Sequence, residues 1–208
     1  MPTKRFYRLV EEKKRQIREA AVKEFCRVSF EKVSINKIVQ NAGISRGSFY
    51  TYFMDKEDVL SYIFEDLILQ IQRFCQDVLL NERGDLWNLL LKLFDFIMEV
   101  CEKRNIFNMA QKSMGHSAVM EILEKNISYN HNHKENKQKD WIEEIYQLTD
   151  CSQLRVENLE DFKILFTTCI VNIVAIIGEI QRGCIKKSMG RELLARRLNY
   201  IQYGAVKR

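Results

Sequence analysis

A run of small and aromatic hydroxyls flanks a lone guanidinium in the first quarter of the chain: Ser45, Arg46, Gly47, Ser48, Tyr50, Thr51 and Tyr52. No histidine or carboxylate interrupts it, so the run lacks the base that a hydroxyl nucleophile requires. Its chemistry suits a polyanion. Hydroxyls and phenols can donate to phosphate oxygens, and arginine can pair bidentately with a guanine edge. Gly47 weakens a helix by about 1 kcal/mol relative to alanine, a cost that close backbone approach to a partner would explain.

Other chemistry is sparse. The histidines are His116, His131 and His133. His131-x-His133 could bind a metal in a helical metal-dependent enzyme, the reading of a different class, but it falls in a polar tract. No Ser/His/Asp grouping, phosphate-cradling glycine loop or helical carboxylate pair is present. Neither a catalytic residue, nor a metal ligand, nor a cofactor is expected. Six scattered cysteines without a C-x-x-C pair fit reduced, buried thiols and a cytoplasmic protein.

The elements that position the hydroxyl run follow from periodicity and punctuation. The only proline is Pro2, and its absence elsewhere permits long unbroken helices. The expected class is all-α. A first helix, Glu11 to Val28, carries Ile17, Ala20, Ala21, Phe25 and Val28 on one face. Ser34 is placed to cap a short second helix, Ile35 to Asn41. Gly43 follows where a helix end favours a left-handed residue. Ser45 caps a third helix, Arg46 to Phe53, and Asp55 caps a long fourth one running to Val78, closed by Asn81 to Gly84. Two short helices joined by Ala42-Gly43-Ile44-Ser45 make a helix-turn-helix, clamped by Ile35, Ile38, Val39, Ile44, Phe49 and Phe53.

Charge points the same way. Residues 1–54 hold 12 Lys/Arg against 5 Asp/Glu, and the remainder 21 against 23. The positive surplus sits at one end, as a polyanion partner would require.

The stretch Ile17 to Leu60 resembles the DNA-binding domain of TetR-type transcriptional regulators, the family of the tetracycline repressor. The resemblance is carried by Phe25, Ser29-Phe30, Ser34, Ile38-Val39, Ala42-Gly43-Ile44-Ser45, Ser48-Phe49-Tyr50-Thr51-Tyr52-Phe53 and Lys56-Glu57-Asp58-Val59-Leu60. Ser29 stands where that pattern has glycine, and Val39 where it has alanine. The resemblance implies that Ser34, Tyr50, Tyr52 and Lys56 hold phosphates of double-stranded DNA. It implies too that Arg46, Gly47, Ser48 and Thr51 approach the bases, beside the Ser45 cap.

The expected organisation is a three-helix head, 1–55, on a helical-bundle ligand-binding and dimerisation body, 56–208. Body helices are expected at Leu86 to Lys103, Ile106 to Asn126, Asp140 to Leu148, Leu159 to Arg182 and Met189 to Tyr203. The last is to be capped by Ser188, and a loop is expected at Asn130 to Lys139. The helix from Leu159 is apolar nearly all round and must be covered on more than one side. Its longest apolar run, Ile164 to Ile177, is shorter than a bilayer span, so no membrane partner is expected. A homodimer is expected through Phe162, Ile170, Ile173, Ile177, Ile180, Leu194, Leu198 and Ile201. Trp87, Met98, Cys101, Phe107, Met114, Trp141, Phe166 and Cys169 are candidates to line a pocket for a small apolar or aromatic effector. These readings imply a homodimeric repressor, released from a palindromic operator by that effector. The alternative is an activator, or a partner-controlled regulator without a small ligand.

Overall fold

A computed structural model of the chain describes residues 2–103, 105, 109 and 141–204. Among these residues every regular element is helical. The helix expected at Ile106 to Asn126 lies outside the described residues, Met109 apart. So do the loop Asn130 to Lys139, Asp140, Phe107, Met114 and all three histidines.

The helices are α1 (Lys4–Tyr7), α2 (Glu11–Arg27), α3 (Ile35–Asn41), α4 (Arg46–Tyr52), α5 (Lys56–Asn81) and α6 (Leu86–Lys103). After the undescribed stretch come α7 (Trp141–Leu148), α8 (Leu159–Gln181) and α9 (Lys187–Tyr203). Short 3-10 turns cover Phe30–Lys32 and Cys151–Gln153. The expected all-α class holds. The sequence pattern missed α1, whose Phe6 is completely buried.

The chain divides into two compact units. Of the described residues, the first takes 2–69 with 100–103, 105 and 109, and the second takes 70–99 with 141–204. The division falls inside α5 and again inside α6, whereas the pattern of caps placed the boundary at 55.

In the first unit α2 buries Ile17, Ala20, Ala21 and Phe25, and α3 buries Ile38 and Val39. These side chains recur at helical spacing, so each short helix is held by packing rather than by its own propensity. Phe25 stacks on Phe30 at 5.9 Å between centroids, Phe30 being fully buried despite the serine that precedes it. Arg18 pairs with Asp66 at 2.9 Å, fixing α2 against the first half of α5.

In the second unit α8 is the central strut. Phe162, Phe166, Cys169, Ile173 and Ile176 alternate at steps of four and three residues, and all are closed to solvent. Leu194 and Leu198 of α9 are buried as well. Gly190 lets α9 come close: a Cβ there would sit 2.7 Å from Ile180 Cδ1 and 3.0 Å from Phe94 Cζ. Asn158 caps α8 through two backbone N–H groups, at 2.9 and 3.0 Å. The start of α9 departs from expectation. It opens at Lys187 behind Lys186 with no side-chain cap, and Ser188 lies inside the first turn. The helix is held from its side by packing, which leaves its first amides without a hydroxyl partner.

By length and composition α8 is long and apolar enough to cross a membrane. The expected apolar run was shorter because it stopped at Ile164 and Ile177, whereas the helix adds residues at both ends.

Candidate nucleic-acid interface

The helix-turn-helix forms where the pattern placed it. α3 ends at Asn41, and Gly43 follows at φ +59°, a left-handed conformation costly for residues with a Cβ. The Ile44 N–H then donates to Val39 O at 3.1 Å. Lys13, on α2, donates to the carbonyls of Ala42 (3.1 Å) and Gly43 (3.2 Å). A lysine that reads as surface charge in the sequence thus caps the turn from outside.

Ser45 caps α4 as expected: its Oγ accepts from the Ser48 N–H at 3.0 Å, and the two hydroxyls lie 2.9 Å apart. Phe49 and Phe53 are fully buried. They point one face of α4 into the unit, leaving Arg46, Gly47 and Tyr50 exposed and Ser48, Thr51 and Tyr52 half-buried. Arg46 donates to Asn36 Oδ1 at 2.8 Å and to Tyr50 Oη at 3.4 Å, with its guanidinium carbon 5.7 Å from the Tyr50 ring centroid. Asn36 is an exposed residue of α3 that the sequence reading did not single out. Its partner lies ten positions away across the turn, so no local spacing announces it. Thr51 Oγ1 donates back to Gly47 O at 2.9 Å.

Among the described residues nothing requires a glycine at 47. A Cβ at this position would meet only Ser45 Oγ, at an ordinary 3.8 Å.

Two expected phosphate holders are used within the head. Ser34 stands at the N-cap of α3, but its hydroxyl makes no cap bond. Its N–H donates to Glu24 Oε1 at 3.1 Å. Lys56 Nζ donates to the carbonyls of Phe30 (2.8 Å) and Glu31 (3.1 Å) and lies 4.7 Å from the Phe30 ring centroid. An ammonium has three donors, so Lys56 secures the turn after α2 with two of them.

Glu24 is a buried charge of the head, 2% exposed, and it too was missed. It accepts from Arg27 Nε and Nη2, both at 2.7 Å. Those bonds, with the Ser34 N–H, hold its carboxyl below the usual glutamate range despite burial. At the start of α5, Asp55 Oδ1 accepts from the Asp58 N–H at 2.8 Å, and Asp58 Oδ2 accepts from the Met54 N–H at 3.0 Å. The Asp55 bond caps the first turn of α5, and the Asp58 bond ties down the residue ahead of the cap.

The other expected sets divide between the units. Trp87, Met98, Trp141, Phe166 and Cys169 belong to the second unit, where Trp141 meets Phe166 edge-on at 5.6 Å. Cys101 belongs to the first unit, and Phe107 and Met114 lie outside the described residues. All six cysteines carry free thiols. Burial pushes the Cys75 thiol up to about 12 and the Cys169 thiol up to about 11. Of the residues assigned to a subunit interface, Phe162, Ile173, Leu194 and Leu198 are buried within the chain itself, and Ile170, Ile177, Ile180 and Ile201 are half-buried. The exposed apolar side chains of α8 are instead Ile164, Val171 and Val174.

Comparison with known proteins places this geometry. Residues 17–63 match the model of the bacterial regulatory proteins of the tetR family. The fatty acid metabolism regulator protein of Bacillus subtilis is 34% identical over 64 residues, covering 30% of this chain and 33% of that protein. An HTH-type transcriptional regulator of Staphylococcus aureus is 36% identical over 66 residues, covering 31% and 36%. The match thus spans about a third of the length of these curated relatives. A crystal structure described as a tetR family transcription regulator, from Shewanella sp. PV-4, aligns over 89% of this chain and 95% of its own. Its TM-score is 0.52 at 18% identity, a likeness of fold. The resemblance first carried by Phe25 to Leu60 is thus one of the head: over residues 17–63, through its helix-turn-helix, this chain is similar to the bacterial regulatory proteins of the tetR family.

Proposed function

We propose that the protein is a homodimeric, cytoplasmic transcriptional repressor that binds a palindromic operator through α4 and is released by a small apolar or aromatic effector. The observation that carries this reading is Gly47. It weakens a short helix, its lack of a Cβ is demanded by no neighbour among the described residues, and it lies among Arg46, Ser48, Tyr50 and Thr51 on the outward side. A backbone that must approach a duplex closely accounts for all of this. Ser45, Arg46, Gly47, Ser48 and Thr51 face the bases, while Ser34, Tyr50, Tyr52 and the remaining donor of Lys56 face phosphates.

Dimerisation rests on α8. Ile164, Val171 and Val174 recur at helical spacing on its exposed side, opposite a face already packed in the second unit. A stripe of this kind is stabilised by covering it with a second copy. Two copies of α4 related by a two-fold axis would then read half-sites about 34–36 Å apart. α5 belongs to both units, so a ligand that tilts it in the body also moves the head.

Selection of bound duplexes from a random pool tests the reading. Recovery of an inverted repeat with that half-site spacing is expected. Recovery of no preferred sequence, or of an unpaired half-site, rejects it. A reporter driven from the selected sequence, with and without the protein, separates repressor from activator.

A further inference from the structure

The amino-terminal strap ahead of α2 is tied to the reading helix itself. The Thr3 N–H donates to Tyr52 O at 2.9 Å, and Thr3 Oγ1 donates to Thr51 O at 2.8 Å. Both carbonyls lie in the last turn of α4, where no helical N–H remains to serve them. Phe6 locks the strap down, completely buried against Phe53 (4.7 Å between centroids), Tyr62 (4.6 Å) and the edge of Tyr52 (6.1 Å). Tyr7 adds a hydrogen bond to Glu65 Oε2 at 3.0 Å.

This anchoring leaves Lys4, Arg5 and Arg8 exposed. The first ten residues contain no Asp or Glu, and among the described residues none of the three cations meets a carboxylate. Elsewhere in the head much of the positive charge is spent internally, although Lys23, Lys32 and Lys37 are exposed as well. Lys14 pairs with Glu11, Arg15 with Glu12 and Glu19, Arg18 with Asp66, and Arg27 with Glu24. Lys13 and Lys56 serve backbone carbonyls. The strap places three cations within a span of five residues at the end of a reading helix, where a polyanion would supply their counter-charge. A major groove about 12 Å wide is walled on both sides by phosphates, so a helix lying in it has them within a lysine's or arginine's reach.

We propose that Lys4, Arg5 and Arg8 form a phosphate-gripping strap that holds the DNA backbone beside the groove entered by α4. The inference rests on the reading of α4 as the groove helix and deepens it. The strap adds affinity without sequence preference, and it fixes the register of α4 because Thr3 links the two.

The test is the salt dependence of duplex binding by the full chain and by the variant Lys4→Gln/Arg5→Gln/Arg8→Gln, on the selected operator and on an unrelated duplex. The replaced side chains are exposed, and Thr3 and Phe6 are left intact. A variant with Arg182, Lys186 and Arg196 changed to glutamine loses the same charge from the second unit. The strap variant should lower the slope of log K against log salt by about 0.9 for each phosphate released, up to about 5.4 for the two chains on one duplex, and by the same amount on both duplexes. Single changes at Lys4 and Arg5 should each remove about two units, one per chain, which keeps the test open should the triple variant fold poorly. An unchanged slope in a chain that still binds its operator overturns the strap and leaves the groove helix standing. Equal losses in the strap and second-unit variants overturn it too, since net charge alone would then be acting. If the unaltered chain binds no duplex, the reading of α4 fails and the strap fails with it.

Discussion

Gly47 and Arg46 carry opposite kinds of information. Within the chain, alanine at 47 meets only ordinary contact and should raise head stability by about 1 kcal/mol through helix propensity. In the duplex the same methyl occupies the space of closest approach. Gly47→Ala is therefore expected to melt at a higher temperature yet bind the operator about tenfold more weakly, a loss of roughly 1.4 kcal/mol. Paired melting and anisotropy measurements check this, and undiminished affinity in the stabilised variant removes Gly47 from the interface. Arg46 rests on Asn36 and Tyr50 in the free chain, so it has a parking place to leave on binding. Arg46→Ala should cost about 1–3 kcal/mol on the operator and relax the choice at one base pair. Repeating the pool selection with the variant tests that, and an identical consensus excludes Arg46 from base reading.

At the scale of elements, the buried carboxylate of Glu24 sets how α2 meets α3. It accepts from Arg27 and from the Ser34 N–H, which does the work expected of the Ser34 hydroxyl. Removing the carboxylate leaves a half-buried amide without its partner, and Glu24→Ala should destabilise the head by about 1–3 kcal/mol. The pH dependence follows from the depressed folded pKa. Its contribution is fully present above the unfolded value, ordinarily 4.5. It is lost as pH falls through that value toward the lower folded one. Urea melts at pH 7 and pH 4 should show the native chain losing more stability on acidification than Glu24→Ala. Parallel losses would contradict the assignment.

The same scale shows what a sequence can disclose. α3, the Gly43 turn and α4 were legible because their signals are local: a glycine with positive φ, a serine cap and apolar side chains three and four apart. Lys13, Asn36 and Glu24 were not, since each acts across a turn on a backbone group or side chain that no pattern names. α1 was hidden for the same reason. Phe6 and Tyr7 sit between basic residues, and the partners of Phe6, Phe53 and Tyr62, come about fifty residues later. Ser188 had a capping residue's identity, but α9 begins one residue earlier.

For the whole molecule, the proposed assembly rests on α8. Its apolar character was plain from the sequence, yet which flank turns inward depends on where α9 and α7 pack. Half of the expected interface residues proved to be internal core, and the outward flank is Ile164, Val171 and Val174. Val171→Glu with Val174→Glu should leave the second unit folded, because both positions are exposed. It should convert the protein to monomers in sedimentation and weaken operator binding by removing one of two linked half-site contacts. A dimer that survives both charges would move the interface elsewhere.

The account turns on α4 entering a duplex twice per assembly, and the stoichiometry of the complex measures that directly. Sedimentation of the purified full chain with a short duplex carrying the selected inverted repeat, at low salt, should give two chains per duplex with no stable single-chain complex. One chain per duplex, or failure to bind any duplex at low salt, would contradict it.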